Sequence, residues 1–326
     1  MHVTLDMPAA APRYYQTFHP DTHSVRDELE GGLCRRDASI APKFLYDALG
    51  SCLFGAITQV PEYYPTRTEQ QIMARYADEI AQRTSQARVL VDLGAGDCVK
   101  AERLFGRLRP RQYVPVDIST EYLRGAVARL HTAYPDLDIV ALGQDFSQTL
   151  ALPDDVGTEG RLFFYPGSSI GNWAPEQALA MLARIRAACM DDGSGLLIGV
   201  DRVKSPDVLV PAYDDALQVT AAFNRNLLLH VNRLLRTDFA LDDWRHLACF
   251  NAEASRMEMH LVATRAVTVN WPGRCRIFAS GESIHTECSY KYQPQDFAAL
   301  LDAAGFSDVA HWTDPEGWFS VFHARA

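Results

Sequence analysis

The chain has 326 residues, of which 48% are hydrophobic and 22% charged, and its formal net charge is −10. That length allows one large domain or two modest ones of ordinary globular composition. An acidic balance with no block of lysine or arginine disfavours nucleic-acid binding, which needs a basic face, and no apolar run nears the ~20 residues of a membrane span.

The first residues, MHVTLDMPAAAPRYYQTFHP, lack the basic start and apolar core of a secretory leader, so a cytoplasmic chain with no membrane or nucleic-acid partner is expected. The seven cysteines are scattered without a CxxC pair, and the ten histidines form no HExxH. Reduced thiols are expected, with neither a disulfide framework nor a metal site.

Residues 1–30 read as irregular up to a helix near Ser24–Gly31. Pro42–Tyr64 is apolar and aromatic but broken by glycines; Phe44 and Phe54 suit a core, whereas Tyr46, Tyr63 and Tyr64 need partners for their hydroxyls if buried. A helix opens at Pro65–Thr68, with Thr68 and Gln71 at capping-box spacing, and Ile72, Met73, Tyr76 and Ile80 follow with helical period.

The stretch Arg88–Phe105, RVLVDLGAGDCVKAERLF, organises the rest. Val89, Leu90, Val91 and Leu93 form the short apolar run of a buried parallel strand, broken by Gly94 and Gly96 before a helical stretch from Lys100. A strand that breaks into glycines ahead of a helix lets backbone approach a ligand closely. A dinucleotide fingerprint wants a third glycine where Val99 stands, and a β-branched residue there crowds a pyrophosphate. S-adenosylmethionine carries no phosphate and needs an acid at the end of the next strand for its ribose; Asp117 ends QYVPVD, so the methyl donor fits better.

A βαβα rhythm follows. Strands Tyr113–Val116, Ile139–Leu142, Leu162–Tyr165 and Leu196–Val200 alternate with helices near Thr120–Thr132 and from Pro175 to about Cys189. With the strand at Val89 this predicts a doubly wound parallel sheet, whose ligands sit beyond the strands' carboxyl ends. Gly94, Asp117, Asp145 and Asn172 all lie at such ends. After Lys204 the pattern changes: Val208–Leu235 is mostly helical, and strands are expected at Arg256–Ala263, Cys275–Ala279 and Ser283–Tyr292. This reads as an inserted α+β subdomain of roughly ninety residues. A helix at Gln295–Ala304, closed by Gly305, and a hairpin of Val309–Thr313 with Trp318–His323 return to the core.

The segments YDALGS, PEYYPTR, VDLGAGDCVK, GSSIGN, AYDDALQVTAAFNRN, RMEM and TECSYKY extend well outside a generic methyltransferase core. Through them the chain resembles the histidine N-alpha-methyltransferases of ergothioneine biosynthesis. The resemblance implies a Rossmann-like class I methyltransferase core with a seven-stranded sheet and an inserted α+β substrate-binding subdomain. Residues 68–203 and 292–326 would form the core, and 1–67 and 204–291 the lid. It implies S-adenosylmethionine as cofactor, S-adenosylhomocysteine as its product, no metal, and a monomer acting on a small amino acid. The matching cofactor positions are Gly94, Lys100, Asp117, Asp145, Phe146 and Gly167. The matching substrate positions are Tyr46, Tyr63, Asn172, Tyr213, Met257, Glu287 and Ser289, with Asn172, Tyr213 and Tyr46 orienting the reacting amine. Glu287 and Ser289, two apart on a strand, face the same way and suit the donor and acceptor of an imidazole. The implied product is the trimethylated betaine, hercynine; a tryptophan-derived amine is the alternative substrate. Cys98 in the cofactor loop, Cys288 between the two ring contacts and Tyr165-Pro166 before Gly167 depart from the family pattern.

Overall fold

In a computed structural model of the chain, which describes residues 11–17, 22–118, 120–146 and 149–326, every residue of Val89–Leu93 is buried. Continuous apolar character is what a strand covered on both faces requires. Ahead of it lie strand β1 (Arg13–Gln16), helix α1 (Thr22–Leu33), the short strand β2 (Ala38–Ser39), and helices α2 (Ala48–Ile57), α3 (Tyr64–Arg75) and α4 (Ala77–Arg83). From β3 (Val89–Leu93) the chain alternates through α5 (Val99–Leu108), β4 (Gln112–Asp117), α6 (Thr120–Ala133), β5 (Asp138–Gly143), β6 (Arg161–Tyr165), α7 (Pro175–Ala188) and β7 (Gly195–Asp201). The insertion holds α8 (Pro206–Tyr213), α9 (Val219–Leu235), β8 (Trp244–Asn251), β9 (Arg256–Ala263), β10 (Val267–Trp271), β11 (Arg274–Phe278) and β12 (Ser283–Tyr290). Helix α10 (Pro294–Ala303) and strands β13 (Ser307–Thr313) and β14 (Phe319–Arg325) complete the core.

The large sheet has the order β1-β5-β4-β3-β6-β7-β14-β13. Strands β1 to β7 within it are parallel, and β14 runs antiparallel to both β7 and β13. The order reverses between β3 and β6, so a crevice opens there beyond the carboxyl ends of both strands. Apolar residues of α3 to α6 cover one face, including Ile72, Ile80, Phe105 and Val127; α7 and α10 cover the other through Met181, Ile185, Phe297 and Leu301.

A second core joins α1, α2, α8 and α9 to a four-stranded sheet of order β2-β12-β9-β8, through Leu33, Leu45, Phe223, Leu227, Leu261 and Ile284. Among the described residues, strands β10 and β11 pair only with each other. The insertion leaves the core after Asp201 and returns at Tyr292, where Arg202 and Tyr292 bridge in parallel. The two crossings lie side by side.

The structure corrects several sequence expectations. The expected seven-stranded sheet has an eighth member: β1 adds to the β5 edge, where the Arg13 guanidinium pairs with Asp138 at 2.6 Å. Part of the segment assigned to the lid therefore belongs to the core sheet, while residues 1–10 lie outside the described residues. Helix α3 begins at Tyr64, with Pro65 in its first turn; Thr68 is interior and buried, so no capping box forms with Gln71. The helical run 208–235 divides where Asp215 accepts from the amides of Val219 and Thr220 at 3.0 and 2.7 Å and caps α9. Strands β8 and β10 are additional; β8 mixes buried and half-buried residues without clean alternation, which hides its period.

Candidate active site

Gly94 and Gly96 follow β3 at φ 73° and 54°, the left-handed region that glycine tolerates without a Cβ penalty. The amides of Gly94 and Ala95 donate to Val116 O at 2.9 and 3.1 Å, and Gly96 N donates to Asp117 Oδ2 at 2.8 Å. The loop is thereby tied to the end of β4. A Cβ on Gly94 would stand 3.9 Å from the Phe146 ring, so the loop and this ring lie within van der Waals reach of each other. Phe146 and half-buried Asp145 lie just past β5, and the Phe146 ring meets Tyr165 edge-on at 5.8 Å.

Gly167 follows β6 on the other side of the crevice at φ 78°. Its amide and the Lys100 ammonium both donate to Glu69, each at 2.7 Å. One buried carboxylate from α3 thus joins the two flanks of the crevice. A Cβ on Gly199 would collide with the Glu69 carboxylate, so this ion pair requires glycine on the neighbouring strand. Sequence reasoning missed Glu69. Its one signal is position: it shares a helix face with Pro65 and Ile72, both buried, where an acid needs a fixed partner.

Tyr46, Tyr63, Asn172, Tyr213, Glu287 and Ser289 line a single cavity that also reaches Gly167 and Ser168. They come from five places. Tyr46 follows a 3-10 turn at Pro42–Leu45, Tyr63 precedes α3, Asn172 ends the turn Ser169–Asn172 after β6, Tyr213 ends α8, and the last two are on β12. The turn carrying Asn172 packs on β12 so tightly that a Cβ on Gly171 would stand 2.8 Å from Tyr290 O. Met257, named with these residues from the sequence, is not among the lining residues; its neighbour two positions on, Met259, is, while Met257 is buried in the lid core.

A bulge aims Glu287. Opposite β9, His285 pairs with His260 and Glu287 with Met259, leaving Thr286 as the extra residue. The insertion reverses the alternation, so His285 faces outward with His260 while Glu287 joins Ile284 and Ser289 on the inner face. The Thr286 hydroxyl donates to Met259 O at 3.0 Å and fixes the bulge.

Burial dominates the site's protonation. The Tyr46 and Tyr63 hydroxyls are pushed well above the usual tyrosine range by desolvation first, then by Glu287 at Tyr46 and by the neighbouring tyrosines and Glu287 at Tyr63. Asp117, at the end of β4, also raises Tyr46, so its charge is felt at the cavity. Desolvation pushes Glu287 up to about 7, against the pull of Lys291.

Behind the cavity, at the crossings between core and insertion, lies Asp201. It is 1% exposed and accepts from Lys204 at 2.6 Å, from Lys291 at 2.7 Å and from the Tyr64 hydroxyl at 2.8 Å. Its own amide donates to Ser168 Oγ at 2.8 Å. The two ammoniums hold its carboxyl below the usual range despite burial, and Lys204 is lowered to about 8 by desolvation.

A family model described as the histidine-specific, SAM-dependent methyltransferases matches residues 25–326. The chain belongs to this family. It is 40% identical to the histidine N-alpha-methyltransferase of Mycolicibacterium smegmatis over 304 residues, 91% of this chain and 94% of that protein. It is 38% identical to the protein of the same description from Mycobacterium tuberculosis, over 91% of this chain and 94% of that one. Among solved structures, an S-adenosylmethionine-dependent methyltransferase from Clostridium acetobutylicum has the same fold, with a TM-score of 0.50 and 12% identity over 83% of this chain and 97% of that one. The Rossmann-like core is therefore that of a SAM-dependent methyltransferase.

Proposed function

We propose that this chain transfers methyl groups from S-adenosylmethionine to the α-amine of L-histidine, three in succession, giving hercynine. The observation that carries the reading is the shared cavity. Amine-orienting groups (Asn172, Tyr213, Tyr46) and ring-binding groups (Tyr63, Glu287, Ser289) line one hollow that opens onto Gly167 at the donor crevice.

The donor side fits S-adenosylmethionine. Glycines at 94 and 167 leave the backbone bare of side chain where it borders the crevice, Asp117 would accept from the ribose hydroxyls, Asp145 from the adenine amine, and Phe146 would supply a neighbouring backbone donor. The bound donor supplies a methyl on a sulfonium, and the chain's task is to point an amine lone pair at it. Orientation of this kind is worth roughly 7–11 kcal/mol in favourable intramolecular models. Tyr46 and Tyr63 hold their protons tightly, so they serve as neutral hydrogen-bond partners and not as bases. The amine therefore loses its proton to water before the transfer.

Incubation with histidine and the donor is expected to yield trimethylhistidine by mass spectrometry. Consumption of tryptophan but not histidine from a mixed panel would overturn the reading. On the donor side, Asp117→Ala removes both a ribose acceptor and the anchor of Gly96. Loss of charge-assisted bonds at roughly 1.5–3 kcal/mol predicts about 10- to 150-fold weaker donor binding by calorimetry. Wild-type affinity in that variant would remove Asp117 from the cofactor site.

A further inference from the structure

Lys291 is fully buried, and each of its three N–H bonds has one acceptor: Asp201 Oδ2 at 2.7 Å, Ser289 Oγ at 2.8 Å and the Tyr213 hydroxyl at 2.9 Å. An ammonium has donors and no acceptor, so both hydroxyl oxygens must receive from it. Each hydroxyl then keeps its own proton to give away. Among the described residues neither gives it to another protein group, and both side chains line the cavity.

We propose that Lys291 sets the ring specificity of the site: by turning the Ser289 and Tyr213 hydroxyls into donors toward the substrate, it selects a neutral ring with an unprotonated nitrogen and disfavours its cation. The inference rests on the reading above that Ser289 and Glu287 hold the ring. The Tyr213 proton then meets a carboxylate oxygen of the amino acid, and the Ser289 proton meets the ring nitrogen that carries no hydrogen. Glu287 accepts from the other ring nitrogen. The charged groups facing Lys291 are Asp201 from β7, Lys204 beyond it, and Glu287 on β12, with Tyr213 of α8 contributing its hydroxyl and its ring, 4.9 Å from the ammonium. A ring cation bonded to Ser289 would share that oxygen with an ammonium, an arrangement of like charges. Lys291 touches no reacting atom; it is a positioning residue.

The test compares histidine with triazolylalanine, whose ring has the same size and stays neutral, so titration of the α-amine and of Glu287 cancels in the ratio of kcat/KM values. In the wild-type chain that ratio is expected to fall about tenfold from pH 8 to pH 5.5, following the ring's ordinary pKa of about 6.5. A constant or rising ratio overturns the proposal, because it means the cation is accepted, and this measurement needs no variant. In Lys291→Met the ratio is expected to vary less than about twofold over the same range, and the preference for histidine over phenylalanine should drop. Ser289→Ala should lower that preference too, with no further loss in the double variant, since the two act as one unit. If Ser289→Ala keeps the wild-type preference, the ring-site reading has failed. If Ser289→Ala lowers it and Lys291→Met behaves as wild type, only the role of Lys291 has failed.

Discussion

Asp201→Ala is expected to lower the melting temperature by roughly 5–10 °C, the effect of about 3–5 kcal/mol in a chain of this size. Two ammoniums share this one carboxylate, and both belong to the insertion's points of attachment: Lys204 where the chain leaves the core and Lys291 where it returns. Their side chains are 6% and 0% exposed, so water cannot replace the lost partner. The sign of the pH dependence follows. Without Asp201, both lysines hold their protons less tightly folded than unfolded, where the pKa is about 10.4. The unfolded chain then binds more protons, and stability rises with pH. The deficit relative to wild type should therefore shrink between pH 7 and pH 9. Lys204, already lowered to about 8, loses its proton first. Thermal unfolding at the two pH values checks this. A deficit that is constant with pH would mean that packing, and not the ammoniums, accounts for the loss.

The parts of the molecule that were legible in the sequence are those where one residue's neighbours along the chain determine its surroundings. The parallel strands at Val89, Tyr113, Ile139, Leu162 and Leu196 are buried on both faces, so apolar runs mark them to within a residue or two. The glycine loop and Asp117 were readable for the same reason, as the residues that end such runs. Groups whose partners arrive from distant segments were not readable. Glu69 looks like any helix acid until Lys100 and Gly167 are brought to it. Lys291 ends a strand in the sequence, and its three partners lie 90, 78 and 2 positions away. Spacing did put Glu287 and Ser289 on one face, yet the bulge at Thr286 decides which face, and a bulge of one ordinary threonine leaves no local signature. Met257 and Met259 share a face in any strand, so spacing cannot say which of them reaches the cavity. Strand β1 is short and its residues largely exposed, so apolar patterning could not reveal its pairing with β5.

Glu287→Gln is expected to make the ligand-free chain more stable and a poorer histidine methyltransferase at once. Burial raises the Glu287 carboxyl to about 7, and among the described residues no direct ion pair relieves it. The folded chain therefore keeps this proton at pH values where the unfolded chain has released it, above about 4.3. A raised acid contributes stability at low pH that is lost as pH climbs toward 7. Replacing it with a neutral amide should recover roughly 3–4 kcal/mol at pH 8, visible as a higher melting temperature. Binding runs the other way. The ionised carboxylate is the form that accepts a ring N–H, so wild-type kcat/KM for triazolylalanine, whose ring does not titrate, should rise through pH about 7. Glutamine offers an acceptor without charge and without titration; the rise near 7 should vanish, and kcat/KM for histidine at pH 8 should fall about 5- to 15-fold, the difference between a charge-assisted and a neutral bond. The opposed signs separate this group from a structural acid, whose loss would lower stability and activity together. If the melting temperature falls along with activity, Glu287 is holding the lid sheet and the ring must be recognised elsewhere.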